Sequence, residues 1–288
     1  MRRAFTPSGG MAREPFLTVL SHSAGAQSHA LLEMLLRGEI ERPRRFVVIN
    51  SDPGMEDTRT YRFVRDARRK CLSAGIDYIT APGPNLYRDI VNSRPTAITR
   101  MDNPPFWVKN PDGRPGKLKQ QCTQFYKIAP MRRVLRRYLE QIGRPKFRPG
   151  LVETWIGFAF DEWHRCSESE VAYITLRYPL VEKRLDRMRI DGLYLKWGIP
   201  KPPRSVCCAC FANGLEYFRE MYFDRPDDWE KAVEVDNAIE FWHELGITKL
   251  PIFVSRSLIR LRDLPALNFG AGDEDWSEQH CNSGACFI

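Results

Sequence analysis

Phe16-Leu-Thr-Val-Leu-Ser-His-Ser-Ala-Gly-Ala-Gln-Ser-His-Ala-Leu-Leu-Glu-Met-Leu-Leu-Arg37 reads as strand, loop and helix in succession. Phe16 to Leu20 is a short apolar run containing β-formers, which predicts a buried strand. Ser21 to Gln27 is small and polar, which predicts a loop. Ala30, Leu31, Met34 and Leu35 recur at helical spacing, so a helix is expected over 28–37, closed by Gly38. Working outward, Phe46-Val-Val-Ile-Asn50 predicts a second strand and Ser51-Asp-Pro-Gly54 a turn. A long charged helix is expected over 56–74, and Asp77-Tyr-Ile-Thr80 is a third strand. Strand, helix, strand, helix, strand is the pattern of an α/β fold: a parallel sheet with right-handed crossovers.

The loop at 21–28 stands where such sheets collect ligands, beyond the carboxyl end of a strand. Ser23, Ala24, Gly25, Ala26 and Ser28 are small enough to let a phosphate reach backbone N–H groups. The N-terminus of the following helix adds positive potential. Gly25 accommodates a positive φ, and Ser23 and Ser28 offer hydroxyl donors. Neither the Walker-type GxxxxGKS/T nor the dinucleotide GxGxxG occurs here. The alternative is a plain strand-to-helix turn capped by Ser28.

From Pro82 to Gln121 the chain is rich in loop signals. A basic helix is expected over 128–142, a strand at Thr154–Phe158, and helices over 186–197 and 227–245. Residues 1–15 read as a flexible tail, 16–200 as the nucleotide-binding domain and 201–288 as a cysteine-containing, mostly helical C-terminal region. With 288 residues, 44 Lys and Arg against 36 Asp and Glu, and a net charge of +8, the chain has the balance of a globular protein. No apolar run approaches a membrane span, and the start lacks the apolar core of a secretory signal, so a cytoplasmic protein is expected. A homo-oligomer is compatible with the sequence.

Eight cysteines in a reducing compartment point to metal or redox chemistry rather than disulfides. Cys207 and Cys210 form a CxxC after the Pro200-Lys-Pro-Pro203 break, a spacing that lets two thiolates reach one soft ion. An iron–sulfur cluster and zinc would draw on the same ligands. Cys71 and Cys166 read as packed or surface thiols. Asp161, Glu162 and Arg165 follow the strand at 154–158: a carboxylate there could hold Mg2+, and Arg165 or Lys127 could offset pyrophosphate charge. The alternative is a helix start capped by Asp161, and His164 reads as a surface residue. Between 132 and 148, seven basic residues face one acid, Glu140, which suits either a solvated face or a nucleic-acid backbone. Phe106, Trp107, Phe125 and Tyr126 read as a minor core or as base-stacking residues.

Ser21-His-Ser-Ala-Gly-Ala-Gln-Ser28 resembles the PP-loop of the adenine nucleotide α-hydrolase superfamily, in its phosphoadenosine phosphosulfate (PAPS) reductase-like branch of phage and bacterial proteins. Gln27 stands where the general SGGxDS loop has Asp, a departure shared by that branch. Ile49-Asn-Ser-Asp-Pro-Gly-Met55 is similar to the family's second-strand segment, with Asp52 and Gly54 matching. Gln121-Cys-Thr-Gln-Phe-Tyr-Lys-Ile-Ala-Pro130, Trp155-Ile-Gly-Phe-Ala-Phe-Asp-Glu-Trp-His-Arg165 (containing Gly157), Tyr178-Pro-Leu-Val-Glu182, Pro202-Pro-Arg-Ser-Val-Cys-Cys-Ala-Cys210 and Cys281-Asn-Ser-Gly-Ala-Cys286 follow in family order.

The resemblance implies a Rossmann-like, HUP-type sheet and a site for ATP, or for PAPS or adenylylsulfate, on Ser21, Ser23, Gly25, Ala26, Gln27, Ser28, Asp52, Gly54 and Gly157. It implies catalytic roles for Lys127, Asp161, Glu162 and Arg165. Cys122, Cys207 and Cys210, with Cys286 or Cys281 as a fourth, become ligands for a 4Fe–4S cluster, with zinc as the alternative. The implied activity is cleavage of ATP at the α-phosphate to adenylate an acceptor for sulfur transfer, with a nucleic acid drawn to 132–148 as a candidate acceptor. The terminal segment lacks the Glu-Cys-Gly of PAPS reductases, which places sulfonucleotide reduction second. A non-catalytic nucleotide-binding module with structural zinc is third.

Overall fold

The computed structural model describes residues 14–92, 106–119 and 121–269, so Cys281 and Cys286 lie outside the described residues. Five parallel strands, β1 (Leu17–Ser21), β2 (Phe46–Ser51), β3 (Asp77–Ala81), β6 (Val152–Trp155) and β7 (Ile174–Arg177), form a sheet in the order β3-β2-β1-β6-β7. β1 lies at its centre and pairs with β2 on one side and β6 on the other. All five β1 residues are buried, as a parallel strand covered on both faces requires. Their alternation assigns the faces. Leu20, with Val48, Tyr78 and Trp155, packs against α1 (Ala26–Leu36), α2 (Thr58–Ser73) and α6 (Arg187–Trp197). Leu17 and Val19, with Val47, Ile49 and Val152, pack against Val134, Leu135 and Leu139 of α4 (Ala129–Gln141).

A second core lies beside the carboxyl ends of the strands. It joins Met55, Leu86 and Ile90 of α3 (Leu86–Val91), Phe106 and Tyr126 to Cys208 and to α7 (Leu215–Asp224) and α8 (Pro226–Glu240). Short antiparallel strands β4 (Trp107–Lys109), β5 (Pro115–Lys117) and β8 (Ile252–Phe253) brace it in the order β5-β4-β8. The Trp107 indole donates to the Phe211 carbonyl at 2.8 Å, so the aromatics of this region are core, except Phe125, which is exposed.

Several expected boundaries move. α1 begins at Ala26 rather than Ser28, α2 at Thr58 because Asp57 caps it through the Arg59 N–H, and α8 ends at Glu240. α5 (Pro179–Glu182) follows β7, and Phe160–Arg165 is a 3-10 turn whose cap position is Ala159, not Asp161. Among the described residues, no helix is long and apolar enough to cross a membrane.

Candidate functional site

Beyond the carboxyl ends of β1, β2 and β6 lies an open cleft, where sheets of this kind bind ligands. Of the expected site residues, Ser21, Ser23, Asp52 and Lys127 line it. Its wall also includes Asn50, Glu56, Tyr61, Arg132 and Ser205.

The loop is shaped by its own hydroxyls. Ser28 Oγ accepts from the Ser23 N–H at 3.2 Å, lies 3.0 Å from Ser23 Oγ and donates to the Gly25 carbonyl at 3.2 Å. Ser28 therefore cinches the loop from within the first turn of α1 rather than capping the helix. The positive φ expected of Gly25 falls instead on the buried Ala24, at 58°, while Gly25 is extended. A left-handed alanine is uncommon, and such strain persists where surrounding contacts over-determine it. Asn50 Nδ2 donates to the His22 carbonyl at 2.9 Å and pins the loop to β2.

Gly157 serves close packing. A Cβ there would stand 2.7 Å from the Ser28 nitrogen, so only glycine lets this loop lie on the first turn of α1. Gly54 has φ of 76°, and a Cβ would overlap the Asn85 side chain at 2.2 Å. Asp52 Oδ1 accepts from the Gly54 N–H at 2.7 Å and the Tyr61 hydroxyl at 2.9 Å. Burial and Asp52 both push the Tyr61 phenol above its ordinary range, so Tyr61 remains a donor.

Asp161, Glu162 and Arg165 stand apart from the cleft wall. Glu162 is buried and binds Arg165, with Arg187 Nη2 at 3.2 Å and the Ala159 N–H at 3.3 Å; Gln27 Nε2 reaches it at 3.4 Å. This clasp spends the Glu162 carboxylate on holding the start of α1. Arg165 also stacks on the Phe158 ring at 4.4 Å. Asp161 is exposed and pairs with Arg187 at 3.4 Å, and His164 is exposed.

The cysteine segment docks directly beside the cleft. Met55 to Asp57 runs extended against Val206 to Cys208: the Asp57 N–H donates to the Val206 carbonyl at 3.0 Å and the Cys208 N–H to the Met55 carbonyl at 2.9 Å. Glu56 bridges Cys207 in this pairing. Its carboxylate holds Lys127 Nζ at 2.7 Å and accepts from Ser205 Oγ at 3.3 Å. Sequence reasoning placed Glu56 inside a helix and missed it. The Asp57-Thr58 capping signal one residue later would have released it from that helix.

Burial pushes the Cys207 thiol well above its ordinary range. Glu56 acts in the same direction, Lys127 opposes, and Cys210 and Cys122 raise it further. The structure thus brings Cys122, Cys207 and Cys210 into one electrostatic neighbourhood. Cys208 faces the second core, its thiol pushed up to about 12 by burial, and Cys71 is fully buried in α2. Grouped, partly buried thiols are the soft donor set that a thiophilic metal needs, its charge replacing the thiol protons. Among the described residues, the trio of His, Cys, Asp or Glu side chains whose ligand atoms lie within 4.8 Å of one another is His29–Glu33–Asp66, so the three sulfurs are spread more widely. One zinc bound at about 2.3 Å by three of them would need a tighter set. A multi-iron cluster takes each thiolate on a different iron and so does not need the three sulfurs that close together.

No protein-family model and no curated protein matches this chain. Among solved structures, the U34-tRNA thiolase NcsA from Methanococcus maripaludis, determined with its 4Fe–4S cluster, aligns over 78% of this chain and 72% of its own, at 11% identity and a TM-score of 0.40. A likeness at that level carries no argument about chemistry. The functional reading rests on the cleft itself.

Proposed function

We propose that this chain is a PP-loop-type enzyme that binds an adenine nucleotide, ATP with Mg2+, in the cleft and cleaves it at the α-phosphate to activate an acceptor for sulfur transfer. The observation that carries this reading is the convergence on one cleft of Ser21 to Ser23, at the start of the small-residue loop, with Asp52 and Lys127, and with three thiols beside it.

The backbone N–H groups at the start of α1, from Ala26, Gln27 and Ser28, would meet the phosphates together with the hydroxyls of Ser21 and Ser23. Asp52 would hold Mg2+ against them. An acceptor nucleophile attacks the α-phosphorus, a bond forms to it, and the bond to the bridging oxygen of pyrophosphate breaks. Lys127, on leaving Glu56, offsets the charge that builds on the departing oxygens. The Glu162–Arg165 clasp positions Gln27 and the helix start without touching the reacting atoms. A cluster held by Cys122, Cys207 and Cys210, with Cys286 as a fourth ligand, would supply or hold the sulfur.

The test is equilibrium binding of ATP followed by measurement of AMP and pyrophosphate. A Cβ on Gly25 would already lie 3.4 Å from Ser205 Cβ, so Gly25→Trp should abolish binding. Protein that binds no adenine nucleotide would end this reading. Sulfite released from PAPS or adenylylsulfate, without pyrophosphate from ATP, would replace it with sulfonucleotide reduction.

A further inference from the structure

We propose that the outer face of α4 and the loop after it form a docking track for a single-stranded nucleic acid, with Phe147 as a base-stacking platform. The inference rests on the reading of the cleft as the reaction site for its direction, since the track leads there.

α4 turns Val134, Leu135 and Leu139 into the sheet and leaves Arg133, Arg136 and Arg137 exposed. At its amino end Arg132 lines the cleft. Thirteen residues at 1.5 Å each carry the helix about 20 Å from the cleft to the 144–148 loop. Among the described residues, about half of the arginines elsewhere are in ion pairs, such as Arg177 with Glu182, Arg262 with Glu240 and Arg59 with Glu220. Among the described residues, none of the seven basic side chains of 132–148 is in an ion pair. A continuous, unmatched basic stripe is complementary to a phosphate backbone.

Charge alone would serve any polyanion. What singles out a nucleic acid is Phe147. It is 38% exposed and stands at the far end of the basic stripe. Its ring packs on Tyr173 with centroids 4.6 Å apart, the Arg144 guanidinium lies 3.8 Å from its centroid, and Arg136 stands at 5.9 Å. Planar aromatic and guanidinium surfaces set in a basic track are what unpaired bases stack on. The bases of a duplex are already stacked and hidden, so the platform selects single strands.

The experiment measures binding of fluorescein-labelled short single-stranded RNA and DNA, and of the matching duplex, to the full chain by anisotropy over a salt series. ATP binding is measured on the same samples. Phe147→Ala should weaken single-strand binding about tenfold and Phe147→Tyr should restore it, with duplex binding nearly unchanged. Arg133→Glu with Arg137→Glu should weaken binding and flatten the salt slope by about 0.7 per lost phosphate contact. Both variants should melt like the parent and still bind ATP, because neither site lines the cleft. No oligonucleotide binding beside intact ATP binding overturns the track and leaves the nucleotide reading standing. Duplex bound as well as single strand, or single-strand binding unmoved by Phe147→Ala, overturns it equally.

Discussion

Gly157 lies so close to Ser28 that a Cβ on it would stand 2.7 Å from the Ser28 nitrogen and 2.8 Å from its Cα. Both obstacles are backbone in the first turn of α1, so neither can swing aside. Gly157→Ala should push that turn outward, cost about 1–3 kcal/mol of stability and weaken ATP binding about tenfold. Gly192→Ala is the control: it sits in α6 with nothing within 4 Å of the added carbon, and should leave stability equal or slightly higher. Urea melts and ATP titrations of both variants decide it. Normal ATP affinity in Gly157→Ala would show that the contact does not shape the loop.

Glu56 and Lys127 make a separable pair. Lys127→Met leaves a carboxylate that is 6% exposed without its cation, which should cost about 2–4 kcal/mol and remove the charge aimed at the nucleotide. Adding Glu56→Gln takes away the stranded charge, so stability should largely return while ATP affinity does not. If the double variant recovers both, Lys127 acts only on the fold.

Much of this architecture was legible in the chain, and the gaps have physical causes. β1 and β2 are buried on both faces, so their apolar runs stand out from any neighbour. Ile174 to Arg177, an edge strand with three half-exposed residues and one exposed, shows too few alternations to be read. Trp107–Lys109 and Pro115–Lys117 carry loop residues; they pair with each other across the Asn110–Gly113 turn, and Ile252 and Phe253 join from far along the chain. The same holds for the site. Ser21, Ser23, Asp52 and Lys127 sit in local motifs that could be quoted from the sequence. Glu56 and Ser205 become site residues only through the pairing of Met55–Asp57 with Val206–Cys208, a long-range contact that no local periodicity encodes. Ala24 took the left-handed backbone expected of Gly25 because Ser28 and Asn50 set the loop's path, which composition does not reveal.

The grouping of thiols gives a test by subtraction. Protein purified without oxygen should carry iron and acid-labile sulfide. Cys122→Ser, Cys207→Ser or Cys210→Ser should each lose most of both. Cys71→Ala, buried in α2, should keep its iron while losing some stability, since its thiol, raised to about 12 by burial, is a packing group. Iron retained through all three serine variants would remove these cysteines as ligands. Zinc in place of iron would move the assignment to a structural ion.

Behind the loop, a buried relay should limit acid stability. Tyr78 Oη lies 2.9 Å from His22 Nδ1, His22 Nε2 3.4 Å from His29 Nδ1, and His29 Nε2 3.6 Å from Glu33 Oε1, which Lys70 holds at 2.6 Å. Each step has one donor and one acceptor only if both histidines are neutral with the proton on Nε2. Burial lowers the His29 pKa to about 4 despite Glu33, and lowers His22 well below its ordinary value. In the unfolded chain both rings take a proton near pH 6.5. The neutral rings therefore contribute fully above that pH, and stability falls as the pH drops from about 6.5 toward 4. For His29 alone the loss comes to about 3 kcal/mol across that window. Urea midpoints at roughly pH 7 and pH 5 should show this fall in the parent, and a smaller one in His29→Gln, which keeps a polar side chain but cannot titrate. An equal fall in both proteins would place the acid sensitivity elsewhere.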